Sequence, residues 1–144
     1  AGDEPVFIDS PSLEFFYQDK MLKVICELEQ KYVQDVKMRN YLSSHLMGAD
    51  TSSLQNLIAT AGVGFTAWQT AAFTLGVYRR HPQDFTEALR EAVNAGGDTD
   101  TNASVVGALV GATVGYSNIP EEWKTISVVP DVKAAAQALC ETFS

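Results

Sequence analysis

An all-α fold is what this sequence predicts, on three observations. Apolar residues recur at three- and four-residue steps through most of the chain, as they do on one face of a helix. No stretch alternates apolar and polar residues for long enough to make a strand. The breaks between apolar runs carry helix-start and helix-stop chemistry: Ser10-Pro11, Pro82, Asp84 with Glu87, Pro120 and Pro130. The 144 residues make a single domain long enough to bury a core, and 46% hydrophobic content suits a globular protein.

Taken in order, Ser10-Pro11 opens a first helix with proline at its first position, where the missing N–H is not needed. Leu13, Phe16, Met21, Val24, Ile25, Leu28, Tyr32, Val33 and Val36 follow at mostly helical spacing, with a break near Arg39–Asn40 and an end at Gly48. A short helix from Asp50 or Thr51 to Thr60 carries Leu54, Leu57 and Ile58. Gly62-Val63-Gly64 interrupts the pattern as a loop whose backbone can lie close to a neighbour or a ligand. The next helix runs from Phe65 to Arg80 and stops before Pro82; Trp68, Ala71, Ala72 and Leu75 form its core-facing stripe. Asp84 and Glu87 make a capping box over a helix that carries Phe85, Ala88, Leu89 and Val93 and ends at Gly96. A helix from Asp100 to Gly115 follows. Gly107, Gly111 and Gly115 line one of its faces, which is expected to pack closely on another helix at the domain centre. Pro120 opens a short helix with Trp123 packing, Val128-Val129 makes an extended link, and Pro130-Asp131 precedes a last helix carrying Val132, Ala135, Ala136, Leu139 and Cys140.

Composition excludes several function classes. Ten basic against eighteen acidic residues give a net charge of −8, which argues against a broad nucleic-acid surface. Arg79 and Arg80 are expected at a solvated helix end, where they suit the dipole. The longest apolar run, Ala103–Val114, is too short and glycine-rich to span a membrane, which takes about 20 residues. No signal peptide is visible, so a cytoplasmic protein is expected. Cys26 and Cys140 sit in apolar helical patterns and read as buried free thiols. His45 and His81 lack metal-ligand spacing, and no serine has a nucleophile-elbow context. Glu87 and Glu91 are expected on a solvated face beside the segment that follows.

That segment, GGDTDTNASVVGALVGA from Gly96 to Ala112, is the densest chemistry in the chain. Oxygen ligands of the Asp and Thr kind suit hard divalent cations. In one regular helix Asp98 and Asp100 would point roughly 200° apart and could not share an ion. They converge with Thr101 only if the chain is still turning at Asp98, a freedom that Gly96 and Gly97 provide. A helix N-terminus also favours carboxylates. The alternative is that Asp98 or Thr99 simply caps the helix and the glycines end the one before.

From Ala92 to Trp123, AVNAGGDTDTNASVVGALVGATVGYSNIPEEW resembles the C-terminal signature of the ADP-ribosylglycohydrolase family, and the likeness extends upstream to Gly62. The resemblance implies a compact orthogonal helical bundle with a two-magnesium centre, manganese being a substitute, that hydrolyses the glycosidic bond to ADP-ribose. It implies Asp98, Asp100 and Thr101 as metal ligands, with Asp100 bridging both ions, Gly96 and Gly97 as the turn, and Thr60, Gly62 and Phe65 beside the substrate; no catalytic base is assigned. ADP-ribose or an ADP-ribosylated substrate would be the partner. The family's Thr-Asp-Asp ligand motif does not occur in this sequence, and Gly2-Asp3 lacks the flanking residues of its early Gly-Asp motif. The chain therefore resembles the C-terminal half alone, to be completed by an N-terminal segment or a second copy. A non-catalytic, crystallin-like structural or helical interaction protein on the same scaffold is the alternative.

Overall fold

The computed structural model describes residues 49–125 and 129–143, with residues 27, 31–32, 34–36 and 39–40 ahead of them. Most of the helix expected from Ser10 to Gly48, with Cys26 and His45, lies outside the described residues. Every regular element among the described residues is helical: α1 (Leu54–Ala61), α2 (Ala67–Arg80), α3 (Phe85–Asn94), α4 (Thr99–Val114) and α5 (Val129–Phe143). Two 3₁₀ turns, Tyr116–Asn118 and Glu121–Thr125, separate α4 from α5. The all-α fold is thus what the chain adopts. No helix among the described residues is long and apolar enough to cross a membrane.

The core forms around α2. Six consecutive residues, Ala72 to Val77, are buried, which a helix achieves only when neighbours cover it on several sides. Those neighbours are α1, α3 and α4. The expected stripe is therefore too narrow, since Phe73 and Val77 are fully buried as well. Gly76 makes the α1 contact: a Cβ there would lie 2.3 Å from Leu57 Cδ1, so a side chain would push α1 off the core.

Caps set the helix limits. Ser53 starts α1 by accepting the Asn56 N–H at 3.1 Å. Asp50 does not start it; its carboxylate accepts the Ser52 N–H at 2.9 Å and the Asn56 side-chain amide at 3.1 Å, which holds a turn ahead of the helix. Asp84 caps α3 through the Glu87 N–H at 2.9 Å. Glu87 does not complete the box, because its carboxylate pairs with Arg90 instead.

The glycine face of α4 packs on α3 through Gly107 and Gly111, as expected, but it is not the buried line of the helix and Gly115 takes no part. The buried line of this helix is Asn102, Val106 and Val110. Gly107 and Gly111 are half-buried, and a Cβ at either would meet Leu89 at 3.6 Å or Phe85 at 3.5 Å, ordinary contacts. Gly115 faces open space. Helix α5 begins at Val129, so Val129 is helical rather than part of an extended link. Its side chains from Pro130 to Thr142 are exposed, so Cys140 is exposed rather than buried as expected.

Arg80 and Glu91 overturn the solvated-face readings. Arg80 Nε donates to Glu91 Oε2 at 2.8 Å and Nη2 to Oε1 at 2.7 Å, while Nη1 reaches the Thr51 carbonyl at 2.7 Å. One guanidinium thereby ties the last turn of α2 to α3 and to the segment before α1. Burial pushes the Glu91 carboxyl upward, but the hydrogen bonds from Arg80 and His81 outweigh it and hold the group below its ordinary 4.5. A depressed carboxylate contributes stability that is present above its ordinary value and lost as pH falls through the folded-state one. Glu91→Gln should therefore lower the unfolding free energy by about 3 kcal/mol at neutral pH. Urea denaturation should show that gap closing as the pH is taken below 4.5.

Candidate metal centre

Two loops meet at the N-terminal end of α4. The chain leaves α3 and turns through Gly96 and Gly97 at φ values of 78° and 68°, a region open to glycine at little cost. At Gly97 the need is also steric, because a Cβ would lie 2.0 Å from the Val63 carbonyl oxygen. That close approach lets the Asp98 N–H donate to the same oxygen at 2.9 Å. The loop after α1 and the loop before α4 are fastened together backbone to backbone.

Asp98 stands at the N-cap position of α4 with φ −82° and ψ 67°, and its side chain makes no capping hydrogen bond. The capping alternative thus accounts for its place but not for its carboxylate. With Asp98 outside helical geometry, the wide angular separation expected within a regular helix does not apply. The Asp98 and Asp100 carboxyls come within hydrogen-bonding reach of each other. That contact, foremost, and the backbone N–H groups of Thr101 and Asp100 hold the Asp100 carboxyl below the usual carboxylate range. Asp98 is half-buried, while Asp100 and Thr101 are exposed. Among the described residues nothing hydrogen-bonds the Thr101 hydroxyl. The pair is neutralised by no basic side chain among the described residues, and three oxygen-bearing groups face water at one helix end.

The other predicted site residues divide. Thr60 is committed to structure: its hydroxyl donates to the Asn56 carbonyl at 2.8 Å and accepts the Asp50 N–H at 3.0 Å. Gly62 ends α1, and the neighbour its backbone approaches is Gln69, whose amide nitrogen lies 2.5 Å from where a Cβ would stand. Phe65 does not begin α2 but precedes it, and the residue is 84% exposed. It sits two residues from Val63, on the loop bonded to Asp98.

A second group of ligand-type atoms was not anticipated. His81, Glu87 and Glu91 each offer one within 4.8 Å of the others, an arrangement able to hold a metal ion. His81 Nε2 lies 3.1 Å from Glu91 Oε1. Both oxygens of Glu91 already accept from Arg80, and Glu87 pairs with Arg90. Sequence spacing hides this group, because His81 and Glu91 belong to different elements and meet only through the α2–α3 packing.

Comparison with known proteins gives one consistent result. A family model described as ADP-ribosylglycohydrolase matches residues 11–144, further in both directions than the motif itself. A protein of Acanthamoeba polyphaga mimivirus named as an ADP-ribosyl glycohydrolase is 34% identical over 110 residues, covering 76% of this chain and 29% of that protein. The ADP-ribosylhydrolase ARH3 of Danio rerio is 31% identical over 129 residues, covering 74% of this chain and 35% of its own length. ARH3 of Mus musculus is 28% identical over 89 residues, covering 55% and 24%. The chain spans about a quarter to a third of the length of these relatives. No solved structure matches it.

The two turn glycines should respond differently to substitution. Gly96→Ala meets nothing within 4 Å and should cost only the left-handed backbone penalty, about 1–2 kcal/mol. Gly97→Ala must also displace the Val63 carbonyl and break its bond to Asp98, so a loss of at least about 3 kcal/mol is expected. Chemical denaturation of both variants measures the difference, and faster hydrogen exchange at the Asp98 amide in Gly97→Ala locates it.

Proposed function

The chain belongs to the ADP-ribosylglycohydrolase family, and from that premise we propose that it carries the C-terminal portion of a magnesium-dependent site that hydrolyses the glycosidic bond to ADP-ribose. The observation that carries this reading is the Asp98 carboxylate, which performs no capping and lies against Asp100 instead. Two adjacent acid groups without a basic partner among the described residues suit a hard divalent ion far better than they suit each other. Asp98, Asp100 and Thr101 would hold the metal. Magnesium at such a site supplies Lewis-acid charge that polarises hydroxyls and lowers the pKa of a bound water.

The protein groups bind and orient. Asp98 is held from behind by its own N–H on Val63, so its position is set by backbone rather than by a side-chain rotamer. The loop through Phe65 shares that anchor and exposes an aromatic ring two residues from Val63, a surface on which a nucleobase can stack. Gln69 braces the loop at Gly62 and Gly64. Thr60 holds Asp50 and α1 together, and with its proton given to the Asn56 carbonyl its hydroxyl could meet a substrate only as an acceptor.

Charge shapes the rest of the proposal. Two magnesium ions bring four positive charges, and Asp98 and Asp100 answer two of them. The remaining oxygen ligands come from an N-terminal segment, a second copy or the substrate, consistent with a chain that covers 24–35% of its relatives' length. The same shortfall favours one other reading, a non-catalytic scaffold of the same family that has kept the turn and lost turnover.

Calorimetric titration with Mg²⁺ or Mn²⁺ separates these readings. Binding should fall at least tenfold in Asp100→Asn while the fold is retained. If the variant binds as tightly as the parent, the metal assignment is wrong. Release of ADP-ribose from an ADP-ribosylated peptide, lost in Asp100→Asn, supports the hydrolase; metal binding without release in the presence of the complementary segment supports the scaffold.

A further inference from the structure

Asn102 lies in the first turn of α4 and heads the buried line Asn102, Val106 and Val110. The residue is fully buried. Neither end of its side-chain amide is paired among the described residues: Oδ1 and Nδ2 are both orphaned. A buried amide unmade at both ends costs free energy that a valine, as at the next two positions of the line, avoids. Buried polar groups in folded chains are paired in the great majority, so this one calls for a physical reason.

Helix geometry says where its partner stands. Asp98 is the N-cap of α4, and the Asn102 N–H donates to the Asp98 carbonyl at 3.0 Å. Residues four apart share a helix face, and helical side chains lean back over the preceding turn. A side chain at this fourth position often packs against the residue just ahead of the cap. Here that residue is Gly97, which has no side chain to meet it. The Asn102 amide is therefore directed under the turn that carries Asp98. Asp98 is half-buried, and its carboxylate makes no capping hydrogen bond. The Val63 bond fixes the Asp98 backbone but leaves the direction of the carboxylate open. A donor without an acceptor thus stands beneath a carboxylate with lone pairs to spare.

We infer that Asn102 is a positioning residue for the metal centre: its buried amide N–H donates to the Asp98 carboxylate and holds that group in its ion-binding orientation. The inference rests on the metal reading of Asp98, Asp100 and Thr101 given above. Carboxylates that ligate metals are themselves hydrogen-bonded, and the loss of such a partner costs roughly 10–100-fold in affinity. An amide suits the task because it is neutral. A lysine or arginine in its place would cancel the charge that the ion needs, whereas asparagine aims the carboxylate and leaves it fully negative. The orphaned amide of the ion-free protein is then the cost of a hydrogen bond that forms on binding.

Two measurements separate this role from a purely structural one. Asn102→Val removes both orphaned atoms and repeats the residue found at 106 and 110. In the metal-free protein its urea midpoint should be no lower than that of the parent. Calorimetry should nevertheless show Mg²⁺ or Mn²⁺ bound roughly 10–100-fold more weakly. An affinity equal to the parent's overturns the inference. The second measurement is made on the parent chain and needs no variant to fold. In amide-resolved NMR, added Mg²⁺ should shift the Asn102 side-chain NH₂ pair together with the Asp98 backbone amide. An Asn102 pair that stays in place while the Asp98 amide moves overturns the inference and leaves the metal reading standing. No response at either position overturns both.

Discussion

The close approach of Gly97 to the Val63 carbonyl is the contact on which the site depends. One oxygen accepts the Asp98 N–H, and the space it occupies is available only because residue 97 has no side chain. Two loops far apart in sequence become one surface. Behind them, α2 is enclosed on several sides, and α4 is held to the core by Val106 and Val110. The acids therefore project from a rigid support, as a metal site requires, although they sit at its water-facing edge.

Two acidic clusters stand out among the described residues, and electrostatics separates their roles. Glu91 is buried and would be costly to ionise alone; Arg80 compensates it with two hydrogen bonds, and removing either partner would leave an uncompensated buried charge. This cluster carries ligand-type atoms, but a guanidinium already occupies the place a cation would take. Asp98 and Asp100 are the reverse case. They are hydrated, mutually repelling when both ionised, and without a basic neighbour among the described residues. The first cluster joins helices, and the second is suited to recruiting charge from outside.

Much of this was legible in the sequence where the determining residues are neighbours. Gly96, Gly97, Asp98 and Asp100 are consecutive or nearly so, and glycine conformation with helix-end chemistry gives the turn directly. Periodicity gave the helices for the same reason. What depends on partners distant in the chain was not legible. Gly97 meets Val63, Gly76 meets Leu57, and Arg80 meets Glu91 only after α1, α2 and α3 have packed. The start of α1 was misplaced because Asp50 and Ser53 are both competent caps, and Asp50 is taken up by Ser52 and Asn56. Cys140 lies in an apolar pattern yet is exposed, since periodicity reports what a helix could bury and not whether anything covers it.

The central claim is that Asp98, Asp100 and Thr101 together grip a divalent cation. Amide-resolved NMR with substoichiometric Mn²⁺ tests it most directly, because paramagnetic broadening falls steeply with distance and needs no turnover. Broadening should centre on the amides of Asp98 to Asn102, reach Val63 and Phe65 across the fastened loops, and spare Arg80 to Glu91. Broadening centred on His81 and Glu91, or spread evenly over the exposed acids, would contradict it.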